Sequence, residues 1–78
     1  MRKFIGILDN NTRQIPVEAS RIDYATRKLA RRLFRDPIIR GYVEYSPTSA
    51  EFFVMPSDMV KPGHQVRITE HPASDNAL

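Results

Sequence analysis

Residues 21–36 read RIDYATRKLARRLFRD. Stepping about 100° per residue, the α-helical period, gathers Ile22, Ala25, Leu29 and Leu33 into one narrow stripe. Thr26, Ala30 and Phe34 widen that stripe on one side. This is the face a surface helix turns toward a core. Arg21, Arg27, Lys28, Arg31, Arg32 and Arg35 point the other way, with Tyr24 among them. Ser20 is the candidate N-cap, and Asp23, three residues on, suits the positive end of the helix dipole. Pro37 disfavours the α conformation at Asp36, so the helix is predicted to stop near Arg35.

A stripe of this kind has to be buried against something, and the flanking sequence supplies strands. Residues 2–8, RKFIGIL, alternate with Phe4, Gly6 and Leu8 on one side and Ile5 and Ile7 on the other. Both sides are apolar, which predicts a central strand covered on both faces. Asp9, Asn10, Asn11 and Thr12 are turn formers, because short polar side chains bond nearby backbone and tolerate positive φ. Residues 13–18, RQIPVE, form a second strand with Ile15 and Val17 inward. Pro16 has no N–H to give a ladder, which places this strand at a sheet edge. The first 18 residues thus read as a β-hairpin.

After the helix, IIRGYVEY (38–45) alternates, with Ile39, Gly41, Val43 and Tyr45 on one face and Ile38, Arg40, Tyr42 and Glu44 on the other. SPTSA (46–50) is a turn, EFFVM (51–55) a strand dense in β formers, and PSDMVKPGH (56–64) an irregular connection. QVRIT (65–69) alternates again with Val66 and Ile68 inward. The expected domain is residues 1–70, followed by a disordered tail, 71–78, without apolar periodicity. The order β-β-α-β-β-β predicts an α+β fold, one helix packed on one face of a mixed or antiparallel sheet.

That element order, closed by KPGHQVRI (61–68), resembles the β-grasp proteins, the ubiquitin-like superfold. The chain ends Asp75-Asn76-Ala77-Leu78, without the Gly-Gly by which ubiquitin-like carriers are conjugated, so carrier chemistry is not expected.

At 78 residues the core is thin, and with no cysteine neither disulfides nor thiolate metal sites can supplement it. No run of about 18 apolar residues occurs, and FIGIL near the start is too short for a signal peptide. The expectation is a soluble, cytoplasmic protein. Of twelve basic and nine acidic residues, six and two fall in 21–36, giving that segment +4 and the remainder −1. The positive excess is therefore local to the helix.

Catalytic signatures are missing. Ser20, Ser46, Ser49 and Ser57 read as caps or turn residues, the carboxylates are scattered, and Gly6, Gly41 and Gly63 are too far apart for a phosphate loop. His64 and His71 lack partners at ligand spacing and read as exposed loop residues, so no metal is expected. An enzyme is expected only as a subunit whose site is shared across a homodimer. Tyr42 and Phe53, if one sheet face is bare, would form an aromatic platform of the kind that stacks RNA bases. Arg40-Gly41-Tyr42 is the only echo of such a reader's motif, so ordinary cross-strand packing is the expected use.

The function expected is a non-enzymatic binding protein, an adaptor or inhibitor that engages a larger protein or ribonucleoprotein assembly. Phage-encoded inhibitors of a host CRISPR or transcription complex belong to that class. The candidate binding residues are Arg21, Tyr24, Arg27, Lys28, Arg31, Arg32 and Arg35. A nucleic-acid-binding domain using the same face is the alternative, with phosphates met by the arginine forks and a base stacked on Tyr24. The plain alternative is a solvated face, since Arg and Lys are good helix formers. Free nucleic acid is the less favoured partner. Neither a membrane nor a small-molecule cofactor is expected, and the oligomeric state is open.

Overall fold

The computed structural model describes residues 1–10 and 13–71. Strands and helix follow in the expected order: β1 (Arg2–Leu8), β2 (Gln14–Ala19), α1 (Ile22–Leu33), β3 (Pro37–Ser46), β4 (Ser49–Pro56) and β5 (His64–Glu70). The strands form one sheet, β2-β1-β5-β4-β3. Every pairing is antiparallel. The fold is α+β, with a single helix on one antiparallel sheet. Pro16 places β2 at an edge as expected, and β3 forms the other. Helix α1 therefore carries the chain across one face from edge to edge.

Antiparallel partners share a face, so the register sorts the side chains. Phe4 and Leu8, Val17 and Ala19, Ala50, Phe52 and Val54, and Val66 and Ile68 are buried with Ile22, Ala25, Leu29 and Ala30 of α1. Ile15, Leu33, Phe34 and Ile39 pack against this core from its margins. At Gly6 the helix comes closest to the sheet: a Cβ there would collide with Leu29 Cδ1. Thr26, also buried, donates its hydroxyl to the Ile22 carbonyl at 3.0 Å. Among the described residues no buried side-chain polar atom lacks a partner.

Asp9 and Asn10 take the positive φ that their side chains tolerate, 53° and 59°. Asn11, Thr12 and residues 72–78 lie outside the described residues. The turn in SPTSA is shorter than expected. Ser46 closes β3 and Ser49 opens β4, leaving Pro47-Thr48 between them.

Four expectations are corrected. First, β1 is central but covered on one face only, because the single helix lies on the Phe4–Leu8 side; Ile5 and Ile7 stay half-buried on the other. Second, the N-cap is Arg21 rather than Ser20, since the Arg21 carbonyl accepts the first helical bond, from Ala25 N–H at 3.0 Å. No side chain caps this end. The Asp23 carboxylate of the first turn is held below the usual carboxylate range, chiefly by its bond to Arg21.

Third, the helix stops at Leu33, before Arg35. Phe34 leaves the helical path (φ −140°) and stacks on the His64 ring, with centroids 5.9 Å apart. Fourth, alternation in β3 is broken by a bulge. Arg40 pairs with Phe53 and Val43 with Glu51, so Gly41 and Tyr42 together oppose Phe52. Gly41 has φ +61°, and a Cβ there would meet nothing within 4 Å, so backbone conformation and not space calls for glycine. From the bulge to Tyr45 the side chains change face, and a second register shift between Glu44 and Ser46 ends the reversal. Val43 and Tyr45 join Phe53 on the side away from the helix, while Tyr42 and Glu44 turn toward it.

Candidate interaction surface

The sequence groups seven residues on the outer face of α1, and the structure separates them by what each touches. Lys28 and Arg32, four residues apart, lean back over β2. The Lys28 ammonium donates to the Glu18 carbonyl at 2.7 Å and the Arg32 guanidinium to the Pro16 carbonyl at 2.5 Å. These carbonyls belong to an edge strand, whose outward polar groups would otherwise invite another strand. Lys28 and Arg32 therefore cap the β2 edge, and Pro16 blunts it further. The Gly41 bulge interrupts the opposite edge at β3. Strand addition is opposed at both ends of the sheet.

Arg21 is engaged as well. Its Nε and Nη2 donate to the two oxygens of Asp23 at 3.0 and 2.7 Å, a two-pronged pair. Asp23 is thus paired with Arg21 and not with Arg27 one turn on. The Arg21 guanidinium also lies 4.5 Å from the Tyr24 ring centroid and that of Arg27 5.8 Å. Tyr24 is 41 % exposed, yet its ring already carries two cations.

What remains is Arg27, Arg31 and Arg35. All three are exposed, and among the described residues no carboxylate pairs with them. Arg27 and Arg31 stand one turn apart on α1, about 6 Å along its axis. Arg35 lies beyond the helix end, which leaves two helical arginines and a neighbour.

Other candidates move too. His64 is half-buried at the start of β5 instead of free in a loop, with Nδ1 2.6 Å from Asp9 Oδ2. Asp9 Oδ1 accepts the Gln65 N–H at 2.9 Å, and these two bonds hold the Asp9 carboxyl below its usual range. His71 is exposed. Among the described residues no three His, Cys, Asp or Glu side chains are grouped to hold a metal. No helix among them is long and apolar enough to cross a membrane. Tyr42 and Phe53 do not share a face on which a stacking platform could form, because the bulge puts the two on opposite sides of the sheet.

Arg2 binds the fold's ends together. It grips both oxygens of Glu70 at 3.0 and 2.8 Å and reaches the Pro47 carbonyl at 2.9 Å. Four carboxyls thus sit below their ordinary pKa: Asp9 beside His64, Asp23 beside Arg21, Glu51 beside Tyr45 and Arg67, and Glu70 beside Arg2. A depressed folded pKa contributes stability that is present above the unfolded value, about 4, and is lost as pH falls through the folded one. Tyr42 is the reverse. Partial burial and its bond to Glu44 push its phenol up to about 12, so its contribution holds below about pH 10 and disappears as pH rises through the folded value. The thermal midpoint, followed by circular dichroism, should be level between about pH 5 and about pH 9 as far as these groups act, and fall on both sides. Tyr45, bonded to Glu51, is raised as well, so Tyr42→Phe should make the alkaline limb shallower without abolishing it and leave the acid limb unchanged; an unaltered alkaline limb would assign it to other groups.

No protein-family model matches the chain, and neither a curated protein nor a solved structure does so.

Proposed function

We propose that this protein is a non-enzymatic binding module, of the adaptor or inhibitor kind, that presents the arginines of α1 to an anionic surface of a larger protein or ribonucleoprotein assembly. One observation carries the reading: Arg27 and Arg31 project together from α1 with no carboxylate among the described residues to neutralise them, while Lys28, Arg32 and Arg21 are held by the fold. A guanidinium fork meets carboxylates two-pronged, and carboxylates one helical turn apart on a partner have the same spacing of about 6 Å. A protein surface is favoured over bases because Tyr24 is already stacked by Arg21 and Arg27.

The test is capture from lysate, with and without nuclease, by the wild type and by Arg27→Glu/Arg31→Glu. Neither arginine contributes to the core, so the variant should fold. The expected result is protein capture that survives nuclease and drops at least about ten-fold on charge reversal, about 1.4 kcal/mol of binding. Capture unchanged by reversal would move the interface off the helix. A nucleic-acid reading uses the same arginines and predicts oligonucleotide affinity that falls steeply with salt. A titration at low salt separates the two, because the protein-binding reading expects no comparable affinity for DNA or RNA.

A further inference from the structure

The face of the sheet opposite α1 has no covering layer among the described residues. It carries Ile5 and Ile7 from β1, Phe53 and Met55 from β4, and Ile38, Val43 and Tyr45 from β3. Phe53 is 36 %, Val43 48 % and Tyr45 62 % exposed. On β3 and β4 the apolar residues form a strip from Ile38 and Met55 to Tyr45.

Three features shape this strip. The Gly41 bulge places Val43 and Tyr45 on it where unbroken alternation would place Tyr42 and Glu44, so it adds apolar surface and removes an acid. Glu51, the carboxylate within the strip, is neutralised in place. Arg67 Nε donates to one oxygen at 3.1 Å and the Tyr45 hydroxyl to the other at 2.7 Å, which also pins the Tyr45 side chain. Gly63 leaves room for the Phe53 ring, which a Cβ would meet at 2.6 Å. The charge left over is Arg40, paired in register with Phe53, exposed and without a carboxylate among the described residues.

We infer that this strip is a second docking surface, and that its occupant is an amphipathic helix of a partner protein whose apolar ridge is flanked by carboxylates. Charge complementarity sets the sign, since the strip offers an unpaired cation and a neutralised acid. The geometry selects a helix. A partner strand would need an edge, and both edges are interrupted, whereas a helix can lie on the face as a third layer. A helix about 10 Å wide spans two strands about 4.8 Å apart, and a strip of about 20 Å matches roughly 14 helical residues. This inference is independent of the α1 surface, and together the two would give an adaptor one interface on each side.

The probes are two end-capped amphipathic peptides, each about 14 residues long. Both carry a leucine ridge, flanked by glutamates in one and by lysines in the other. Binding is followed by amide NMR shifts of the full chain. The Leu/Glu peptide should shift Arg40, Val43, Phe53 and Met55. Its affinity should fall at least ten-fold in Val43→Asp and in Phe53→Gln, both at exposed positions, and hold in Arg27→Glu/Arg31→Glu. Arg40→Glu should reverse the preference toward the Leu/Lys peptide. The inference is overturned by no binding, by shifts confined to α1, by an unreversed preference, by oligouridylate occupying the strip, or by sedimentation showing that a second copy buries it.

Discussion

Phe52→Ala is expected to remove about 3–5 kcal/mol of stability, as large a loss as any single truncation in this core should give. Phe52 is fully buried on β4, between β5 and β3, in a sheet with one helix over it. At roughly 0.05–0.15 kcal/mol per residue, a chain of this length has about 4–12 kcal/mol in total. The variant would therefore lie near or past the point of unfolding at 25 °C. Its neighbour is the control. Phe53 is on the opposite face of the same strand and 36 % exposed, so Phe53→Ala should cost about 1 kcal/mol or less. Urea midpoints at constant m-value measure both. Equal losses would mean that the far face of the sheet is as buried as the near one.

The second large effect is at the contact between Gly6 and Leu29. In Gly6→Ala the added methyl is driven into Leu29 Cδ1, and overpacking of this sort costs about 1–3 kcal/mol. Leu29→Ala leaves a cavity between α1 and the sheet and should cost about 2–5 kcal/mol. The double variant should be less destabilised than the sum by at least about 1 kcal/mol, because the methyl added at position 6 occupies space that the leucine side chain vacates. Additivity within about 0.5 kcal/mol would show that the two sites do not touch. Since the collision is with the end of a flexible side chain, a rotamer change at Leu29 is the relief available, and it would draw Leu29 from its buried position.

Much of the fold is legible in particular residues. The spacing of Ile22, Ala25, Leu29 and Leu33 reports a helix over a core, and these residues do face it. Pro16 reports an edge strand, and Val66 and Ile68 report the inward face of β5. The reading is less accurate in β3. There the pattern 38–45 is compatible with plain alternation, and the signal that contradicts it is a single residue, Gly41. One left-handed residue adds one position to the strand and reverses the faces of Tyr42 to Tyr45. The face that sequence assigns to Tyr42 thus belongs to Val43 and Tyr45. The helix end differs for a related reason: Pro37 limits how far a helix can run, but Phe34 leaves it earlier to stack on His64, a residue thirty positions away.

The candidate surface divides in the same way. That Arg27, Lys28, Arg31 and Arg32 face outward from α1 follows from helical period alone. Which of them are available does not, since it depends on where β2 lies. Lys28 and Arg32 meet carbonyls ten and sixteen residues distant, and only the packed edge brings these within reach.

By itself, then, the sequence determined the elements, their order, the core-facing stripe and the charge of the helix, because each is a local or periodic property of the chain. The tertiary structure decided the strand order, with β5 entering between β1 and β4, the bare face of the sheet, and the division of the cations into edge caps, an Arg21 paired with Asp23, and arginines with no carboxylate among the described residues. Those outcomes depend on pairings between residues far apart in the chain, and on a backbone conformation at Gly41 that reverses faces without changing the apolar pattern.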